Sequence, residues 1–376
     1  MKHFPSRPLP DFKCLRRALF SDKTLNSELI FFDLGREALA FGIEALEIEP
    51  GTSILIPAYM CESTIDPLRN LGFEIIFFDV KKDLNFDLNM IETLIRSSNV
   101  KAILSVHYFG FPCDLDALVK LCKRYDVRVI EDCSHSYLTQ ISGQSIGCFG
   151  DMAIYSMRKT LAIPDGGALK LNVGVPIRPE VIEKKLQWFK EVLYLGSRLL
   201  ESVICFIGFP NLYSIKVDQI KNFLRNIKPG KIKDSSSVTK VAPIRSSFQL
   251  KAYLNDSDYT FFIAERRKHN YHILAKEALR LGLNPFLHKL PNGCVPQFFI
   301  LIDEKQQLAP WLRGQGIGAT SWPGSELSKD VYSQPSKFPV TNFLNETLVL
   351  LPIHQSMSSQ NLEKTLNLLQ SWAEMK

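Results

Sequence analysis

DMAIYSMRKTLAIPDGGALKLN, residues 151–172, contains two short apolar runs separated by a turn that carries a lysine and a pair of glycines. The runs DMAIYS (151–156) and GALKLN (167–172) have strand character. The residues between them leave too little room for a helix of ordinary length. We therefore expect the two strands to form a hairpin-like return at the edge of a larger sheet.

Four apolar runs precede this stretch, and each is followed by a segment with helical spacing. They are rich in Ile, Val and Phe, and the sequence predicts that they are buried strands: SILIP (53–57), EIIFFD (74–79), KAILSVH (101–107) and VRVIED (127–132). The segment from Asp114 to Tyr125 is one of the predicted helices, with acidic residues in its first turn. Strand–helix alternation at this interval predicts parallel crossovers and an α/β sheet that is covered on both faces.

The rest of the chain has a different pattern. Residues 186–209 are apolar and are interrupted by Gly196 and Gly208, and a basic, polar stretch follows. The last third is predicted to form a smaller α+β domain from a long helix beginning near Ser246, a strand at 295–302 and helices at 304–317 and 359–375. We expect a large domain over 1–240, with an apolar and basic insertion at about 184–240, and a small C-terminal domain over 241–376.

Composition excludes several classes of protein. The chain has 376 residues, of which 45% are hydrophobic and 22% charged, which is typical of a globular protein of two domains and not of a disordered or coiled-coil chain. No apolar run approaches the ~18–20 residues of a membrane-spanning helix, and residues 1–12 contain no apolar core of a secretory signal. Eight cysteines are scattered without CxxC pairs. We therefore expect no disulfide framework, no metal site and a reducing, cytoplasmic location.

The net charge of +6 comes from one segment. Between Lys184 and Lys240 there are 11 Lys and Arg against 4 Asp and Glu, a surplus of +7 that leaves the rest of the chain close to neutral. We expect no nucleic-acid partner for this protein.

Two candidate site residues follow the predicted strand at 127–132. Ligands of α/β sheets bind at the C-terminal ends of the strands, and IEDCSH places Asp132 and His135 there. A carboxylate leaving a buried strand needs a partner, for which a cationic ring nitrogen or a loop amide is suited. Asp132 could equally cap the next turn, and His135 could be an ordinary packed imidazole.

Two further signals concern phosphate and covalent chemistry. Ser156 lies three residues before Lys159 at a strand end, and Gly166-Gly167 follow. Such a serine can bind phosphate while the lysine amine attaches to a carbonyl, although a basic surface turn is the alternative. Gly35 immediately precedes an amphipathic helix, whose exposed N-terminal amides can bind phosphate. Together, the signals are what a pyridoxal phosphate site of the aspartate-aminotransferase fold requires.

The sequence resembles the DegT-type (DegT/DnrJ/StrS) family of pyridoxal-phosphate-dependent sugar aminotransferases. The segments that carry the resemblance are residues 45–80, VHYFGFPCDLDAL (106–118), VIEDCSHSY (129–137), IGCFGDMAIYSMRKTLAIPDGGAL (146–169) and LVLLPIHQSM (348–357). The resemblance implies an aspartate-aminotransferase-like fold, or fold type I of the pyridoxal phosphate enzymes. Its large domain would have a mostly parallel, seven-stranded sheet.

The resemblance also implies roles for the candidate residues. Lys159 would be the covalent cofactor lysine and Asp132 the partner of the pyridine nitrogen. Ser156 would contact the cofactor phosphate together with the turn Gly35-Arg36-Glu37. His135 would lie by the phenolate oxygen of the cofactor, where the family usually has Gln and sometimes His.

Three features depart from the family pattern. The usual five-residue spacing from Ser to Lys is three here, which is the spacing of the wider aspartate-aminotransferase fold. The aromatic residue that stacks on the cofactor ring aligns with Cys61, and Tyr59 or His107 are the candidate substitutes. The Asn-x-Arg that reaches the partner subunit's phosphate in the family is Pro243-Ile244-Arg245 here, so Arg245 is the candidate for that contact in a homodimer.

The implied function is transfer of an amino group from an amino acid, with glutamate the expected donor, to a keto sugar that is nucleotide-linked. Such a reaction serves surface polysaccharide or secondary-metabolite synthesis. A sugar dehydratase is an alternative, but the family's dehydratases carry His in place of the lysine, whereas Lys159 is present. A non-catalytic or regulatory binding protein that keeps the fold is the other alternative.

The apolar and basic segment at 186–233 supports one further hypothesis. Its first part is too apolar for an ordinary exposed helix, and Arg198 and Glu201 interrupt it. Six basic residues follow: Lys216, Lys221, Arg225, Lys228, Lys231 and Lys233. This combination is used by segments that bind the surface of a membrane. Packing of 186–209 into a dimer interface is the alternative.

Overall fold

The computed structural model of the protein describes residues 4–11, 16, 28–174, 187–207 and 248–375. Its eleven described strands are β1 (Ile30–Phe32), β2 (Ser53–Pro57), β3 (Glu74–Phe78), β4 (Val100–Val106), β5 (Arg128–Asp132), β6 (Gln140–Ile141), β7 (Gln144–Ser145), β8 (Met152–Ser156), β9 (Gly167–Leu171), β10 (Phe298–Ile302) and β11 (Leu348–Pro352). Seven of these strands form the main sheet, in the order β1-β9-β8-β5-β4-β2-β3.

The helices alternate with the strands as far as β5 and dominate the second half. They are α1 (Gly35–Ala45), α2 (Glu62–Asn70), α3 (Leu88–Ser97), α4 (Asp116–Arg124), α5 (Gln187–Ile207), α6 (Phe248–Leu254), α7 (Ser257–Arg280), α8 (Leu308–Gly314), α9 (Lys329–Tyr332), α10 (Pro339–Thr347) and α11 (Ser359–Glu374). Short 3-10 helices lie at Tyr108–Gly110, Met157–Lys159 and Gly324–Glu326. The helical segment predicted after β5 is wrong, because β6 and β7 lie between β5 and β8.

The topology of the main sheet confirms the sequence prediction. Strands β2, β3, β4, β5 and β8 pair in parallel. Strands β8 and β9 pair antiparallel, as the predicted return requires. Strand β1 was not predicted; it is only three residues long and pairs antiparallel with β9 at the sheet edge.

Both faces of the main sheet are buried. Ile54, Leu104 and Ile130 belong to one apolar core, whereas the adjacent residues Leu55 and Ile103 belong to another. This alternation follows from the two-residue period of a strand. Helices α3 and α4 cover the second core, to which they contribute these side chains: Ile91, Ile95, Leu118, Leu121 and Cys122. The sheet is therefore covered on both sides, and its strand ends are left to form a site.

The C-terminal part confirms the predicted α+β character but corrects one helix boundary. The sequence predicts a single long helix from near Ser246, whereas the structure has α6 and α7 with a break at residues 255–256. The break arises because the Asp256 side chain accepts a hydrogen bond from the Tyr259 amide at 2.9 Å and so starts a new helix. Strands β10 and β11 pair antiparallel, and α7, α8 and α11 pack around them.

Helix α5 spans most of the predicted apolar segment. The Arg198 side chain pairs with Glu201 and donates to the Pro8 carbonyl at 2.7 Å, which fixes one face of the helix against the N-terminal residues. The opposite face carries exposed apolar side chains: Val192, Leu193, Leu199, Leu200 and Val203. Within the described ranges, no helix combines the length and apolar character needed to cross a membrane. The basic residues at 216–233 and the expected domain boundary at 240 lie outside the described residues.

A buried histidine next to the N-terminal segment predicts acid sensitivity. The His354 side chain is 2% exposed, and its Nε2 lies 2.9 Å from the Pro5 carbonyl oxygen. Burial lowers the pKa of His354 to about 3, whereas an unfolded histidine titrates near 6.5. Below about pH 6.5 the unfolded chain therefore binds a proton that the folded chain does not. We expect the unfolding free energy to fall between about pH 6.5 and 3, by up to about 1.4 kcal/mol per pH unit from this residue.

Urea unfolding across this pH range measures the effect. The His354→Gln variant should have a shallower pH dependence than the wild type, whereas His272→Gln, at an exposed position on α7, should match the wild type. Equal slopes for all three proteins would show that His354 does not control acid stability.

Candidate active site

The candidate residues meet where two neighbouring strands of the main sheet end. Strands β5 and β8 are parallel neighbours, with Asp132 opposite Ile154 in their register. Asp132 ends β5, Ser156 ends β8, and the 3-10 turn Met157–Lys159 follows directly. The parallel topology thus places the Asp132 carboxylate and the Lys159 amine at the same edge of the sheet.

Lys159 and His135 are in direct contact. The Lys159 Nζ lies 3.0 Å from the His135 Nε2. Burial lowers the pKa of His135 well below its ordinary value, and the nearby Lys159 charge lowers it further, so the imidazole is neutral near pH 7. Burial also lowers the pKa of the Lys159 amine, while the Asp132 carboxylate opposes this shift. A lysine with a lowered pKa is easier to deprotonate, which suits covalent and proton-transfer chemistry.

Asp132 is held in place by the turn that follows it. Its side chain is 5% exposed, and its Oδ1 accepts a hydrogen bond from the Ser134 amide at 2.8 Å. Its backbone carbonyl accepts from the His107 amide at 3.1 Å. The carboxylate thus has a partner within its own turn, as the capping alternative requires, and it also interacts electrostatically with Lys159.

The N-terminus of α1 lies against the end of β8. A Cβ added at Gly35 would lie 3.1 Å from the Tyr155 carbonyl oxygen and 3.6 Å from the Ser156 Cβ, so a larger residue would crowd this junction. The helix is preceded by Leu34, whose side chain has no polar atom to cap the first-turn amides. The Glu37 carboxylate instead reaches back to the Leu34 amide at 3.4 Å. Because Glu37 is used in this bond, Gly35 and Arg36 are the better candidates of the turn for binding an anion.

Positive charge gathers around this helix end. Burial lowers the pKa of Arg158, and the nearby positive charges of Arg7 and Arg36 lower it further. Such a cluster next to uncapped helix amides is suited to binding a phosphate group.

Cys61, which aligns with the ring-stacking position, and its candidate substitutes Tyr59 and His107 have different environments. Tyr59 is fully buried, and its hydroxyl donates to the Trp322 carbonyl. His107 is also fully buried, with its Nε2 3.2 Å from a Glu131 carboxylate oxygen. Cys61 lies near both Lys159 and Asp132, and burial raises the pKa of its thiol to about 11, so the thiol is neutral.

Trp322 is an aromatic residue of the site that the sequence patterns did not predict. Its ring lies 4.9 Å from the His135 ring and 5.2 Å from the Tyr59 ring, measured between centroids. It comes from the C-terminal half of the chain, in the segment SWPGSEL, which shows no strand or helix periodicity. Phe109, stacked on the His135 ring at 5.4 Å, was missed as well.

Beneath Asp132 lies a buried polar network. Glu131 accepts hydrogen bonds from the amides of Gly147, Phe149 and Gly150 at 2.6–3.0 Å. Burial alone would raise the pKa of the Glu131 carboxyl, but the bonds from His107 and from this loop lower it below its usual value. His107, Glu131 and Cys133 have ligand-type atoms within 4.8 Å of one another. The Glu131 oxygens already have partners, so the cluster serves to fix the loop after β5.

Arg245, the remaining candidate, lies outside the described residues. The other site residues combine a strand-end lysine, a buried carboxylate on the next strand and an uncapped helix N-terminus beside a serine. On this sheet topology, they define the large domain of the aspartate-aminotransferase fold, fold type I of the pyridoxal phosphate enzymes.

Comparison with known proteins gives a family match over part of the chain. Residues 19–174 match the DegT/DnrJ/EryC1/StrS aminotransferase family, so the resemblance predicted from the motifs is confirmed over this segment. The UDP-N-acetyl-3-dehydro-alpha-D-glucosamine 3-aminotransferase of Acidithiobacillus ferrooxidans is 30% identical over 194 residues, which are 47% of this chain and 51% of that protein. The GDP-perosamine synthase of Escherichia coli O157:H7 is 30% identical over 141 residues, 37% of this chain and 38% of that protein.

A solved structure extends the similarity of fold to nearly the whole chain. The putative sugar aminotransferase Spr1654 from Streptococcus pneumoniae, in its PMP form, matches with a TM-score of 0.71 and 16% identity, over 99% of this chain and 98% of that chain. At this identity the match establishes the fold alone. The chain spans about half or less of the length of the curated relatives that it matches in sequence.

Proposed function

We propose that this protein is a pyridoxal-phosphate-dependent aminotransferase that acts on a keto sugar. The observation that carries the proposal is the placement of Lys159, Asp132 and Ser156 at the ends of β8 and β5, with the α1 N-terminus beside them. This donor set fits the cofactor: an amine for its carbonyl, a carboxylate for its ring nitrogen, and amides, a hydroxyl and arginines for its phosphate.

Each residue has a task in this proposal. Pyridoxal phosphate supplies an electron sink that stabilises negative charge at the Cα of the amino donor. Lys159 would hold the cofactor carbonyl through Nζ, and its free amine would carry a proton to and from the donor Cα. Asp132 would keep a proton on the ring nitrogen, and Ser156 with Gly35 and Arg36 would hold the phosphate. His135 contacts Lys159 and orients its amine.

The proposed acceptor is a nucleotide-linked keto sugar, and the proposed donor is glutamate. The partial sequence similarity to two enzymes named for nucleotide sugars supports the acceptor class. Incubation with a panel of nucleotide-linked keto sugars and L-glutamate, followed by mass spectrometry, tests the proposal. We expect an aminated sugar and 2-oxoglutarate. A protein that stays colourless with added pyridoxal phosphate and aminates no acceptor would favour the binding-protein alternative.

The proposed assembly is a homodimer in which Arg245 of one subunit reaches the cofactor phosphate of the other. The exposed apolar face of α5 supports a contact surface, because Val192 and Leu199 each expose about half of their side chains, 56% and 51%. Analytical ultracentrifugation should give the mass of two chains. A monomer with full activity would contradict the proposal.

As the alternative use of the exposed α5 face, we propose that α5 and the basic residues at 216–233 dock the enzyme on the inner surface of the membrane. Basic residues near an anionic surface contribute about 1 kcal/mol each, and the exposed apolar face of α5 would add to this. We expect flotation with vesicles that contain phosphatidylserine, and loss of flotation when the six basic residues are changed to Gln. If the wild type and this variant float equally, α5 belongs to the dimer contact instead.

A further inference from the structure

We propose that Gln297, a residue of the C-terminal half, is a positioning residue that fixes the distance between Lys159 and His135. This inference rests on the proposed aminotransferase function. The Gln297 side chain is 6% exposed, and its Nε2 donates to the Lys159 carbonyl at 2.6 Å. This is a bond to the backbone of the residue that carries the reactive amine.

The backbone of Gln297 supports His135, the other member of the pair, through Phe109. The backbone amide of Gln297 donates to the Phe109 carbonyl at 2.7 Å. Phe109 contacts His135 twice, because its ring stacks on the imidazole and its amide lies 3.5 Å from the His135 Nδ1. Gln297 thus connects the backbone of Lys159 to Phe109, the residue that supports His135. The Lys159 and His135 side chains lie 3.0 Å apart between these two hydrogen bonds.

The segment that carries Gln297 is fixed on the large domain over several residues. The Cys294 thiol donates to the Gly110 carbonyl at 3.1 Å, and the Val295 amide donates to the Thr139 hydroxyl at 3.0 Å. Gly110 has a φ of +98°, and an added Cβ would lie 2.1 Å from the Val295 carbonyl oxygen. Only glycine permits this approach. Segment 294–297 is therefore a rigid support and not a loose linker.

The orientation of the Gln297 side-chain amide is fixed by the hydrogen bonds that its oxygen accepts. Its Oε1 lies 3.3 Å from the Arg267 Nη1 and 3.3 Å from the Thr160 Oγ1, both of which are donors. Because the oxygen faces these two donors, the amide nitrogen must face the Lys159 carbonyl. Arg267 is 1% exposed and also donates to the Gln297 carbonyl at 3.1 Å. The donor to Lys159 is thus preset before any ligand binds.

The test compares the wild type with Gln297→Met, which keeps the side-chain length but has no amide. Each protein is loaded with pyridoxal phosphate, its colour is titrated with pH, and the rate at which L-glutamate bleaches the colour is measured. At saturating glutamate, we expect the colour of Gln297→Met to bleach about tenfold more slowly than that of the wild type. The glutamate concentration that gives half of the maximal rate should change little, because small misplacements of a reacting group slow chemistry more than binding. The pH midpoint of its colour should also move by about half a unit or more.

Gln355→Met is the matched control. Gln355 is 7% exposed and its Nε2 donates to the Thr160 carbonyl at 3.0 Å, one peptide away from Lys159. This variant loses a similar buried bond, so we expect a similar loss of thermal stability but wild-type bleaching and pH midpoint. If Gln297→Met does not fold, Gln297→Glu keeps the acceptors for Arg267 and Thr160 but not the donor to Lys159, and its bleaching rate decides the question.

The outcomes separate the two proposals. A wild type that takes up no colour overturns the proposed function and this inference together. A wild type that is coloured and bleached, with variants of Gln297 that match it in rate and pH midpoint, overturns only the positioning role. Equal losses in the Gln297 and Gln355 variants overturn it as well, because they would indicate a general effect of stability.

Discussion

Replacing Lys159 with Ala is expected to reduce transamination by at least about 10⁴-fold, while the protein folds normally. Proton transfer by a positioned side chain alone contributes about 10²–10⁴-fold, and this substitution also removes the covalent attachment. Lys159 is half-buried in the turn that follows β8 and lies outside the apolar cores, so its truncation creates no large cavity in a core. The measurements are the rate of amino transfer to the keto acceptor and the far-ultraviolet circular dichroism spectrum.

Lys170→Ala is the control for this prediction. Lys170 lies on β9, next to β8, and its Nζ contacts Glu28 at 3.3 Å and Cys148 at 3.0 Å, away from Asp132 and His135. Its loss should leave the rate within about a factor of two of the wild type. A Lys159→Ala protein with more than about a tenth of wild-type activity would contradict its assigned role.

The second large effect is expected for Asp132→Asn. A neutral amide cannot keep a proton on the cofactor ring nitrogen, so the turnover rate should fall on the order of 10²–10³-fold, the size of effect that follows loss of one preorganised electrostatic contact. The amide oxygen of Asn can still accept the hydrogen bond that Ser134 donates to Asp132. The thermal midpoint should therefore change by only a few degrees.

Kinetics and thermal denaturation of this variant separate its two possible roles. If Asp132 only caps the turn that contains Ser134, the rate will remain within a few-fold of the wild type. A loss of activity together with a large loss of stability would indicate a structural carboxylate. Only a large loss of rate with near-normal stability agrees with the proposal.

Much of this site could be predicted from the sequence because its central residues are close together in the chain. Asp132, Ser156 and Lys159 all lie within 28 residues, at the ends of strands with clear apolar runs. Parallel pairing of neighbouring strands then brings their ends together without any information on distant packing. The same reasoning predicted six of the seven strands of the main sheet but not the three-residue β1.

The site residues that the sequence did not predict reach the site through tertiary contacts, which no local sequence pattern encodes. Both Gln297 and Trp322 belong to the C-terminal half. Gln297 reaches the site because segment 294–297 docks on the turn at Gly110, and Trp322 reaches it through its contacts with Tyr59 and His135. The strand predicted at 295–302 does not indicate that Gln297 bonds the Lys159 carbonyl, and the segment around Trp322 shows no strand or helix periodicity. The direction of the Tyr59 side chain was equally hidden, because the strand β2 ends at Pro57 and the alternation of faces ends with it.

Borohydride reduction of the protein loaded with pyridoxal phosphate, followed by peptide mapping, tests the central claim most directly. Reduction makes the bond between the lysine amine and the cofactor permanent, so the modified residue can be identified by mass. The account predicts one modified peptide, with the added mass on Lys159. A label on Lys170 or on another lysine, or no label at all, would contradict it.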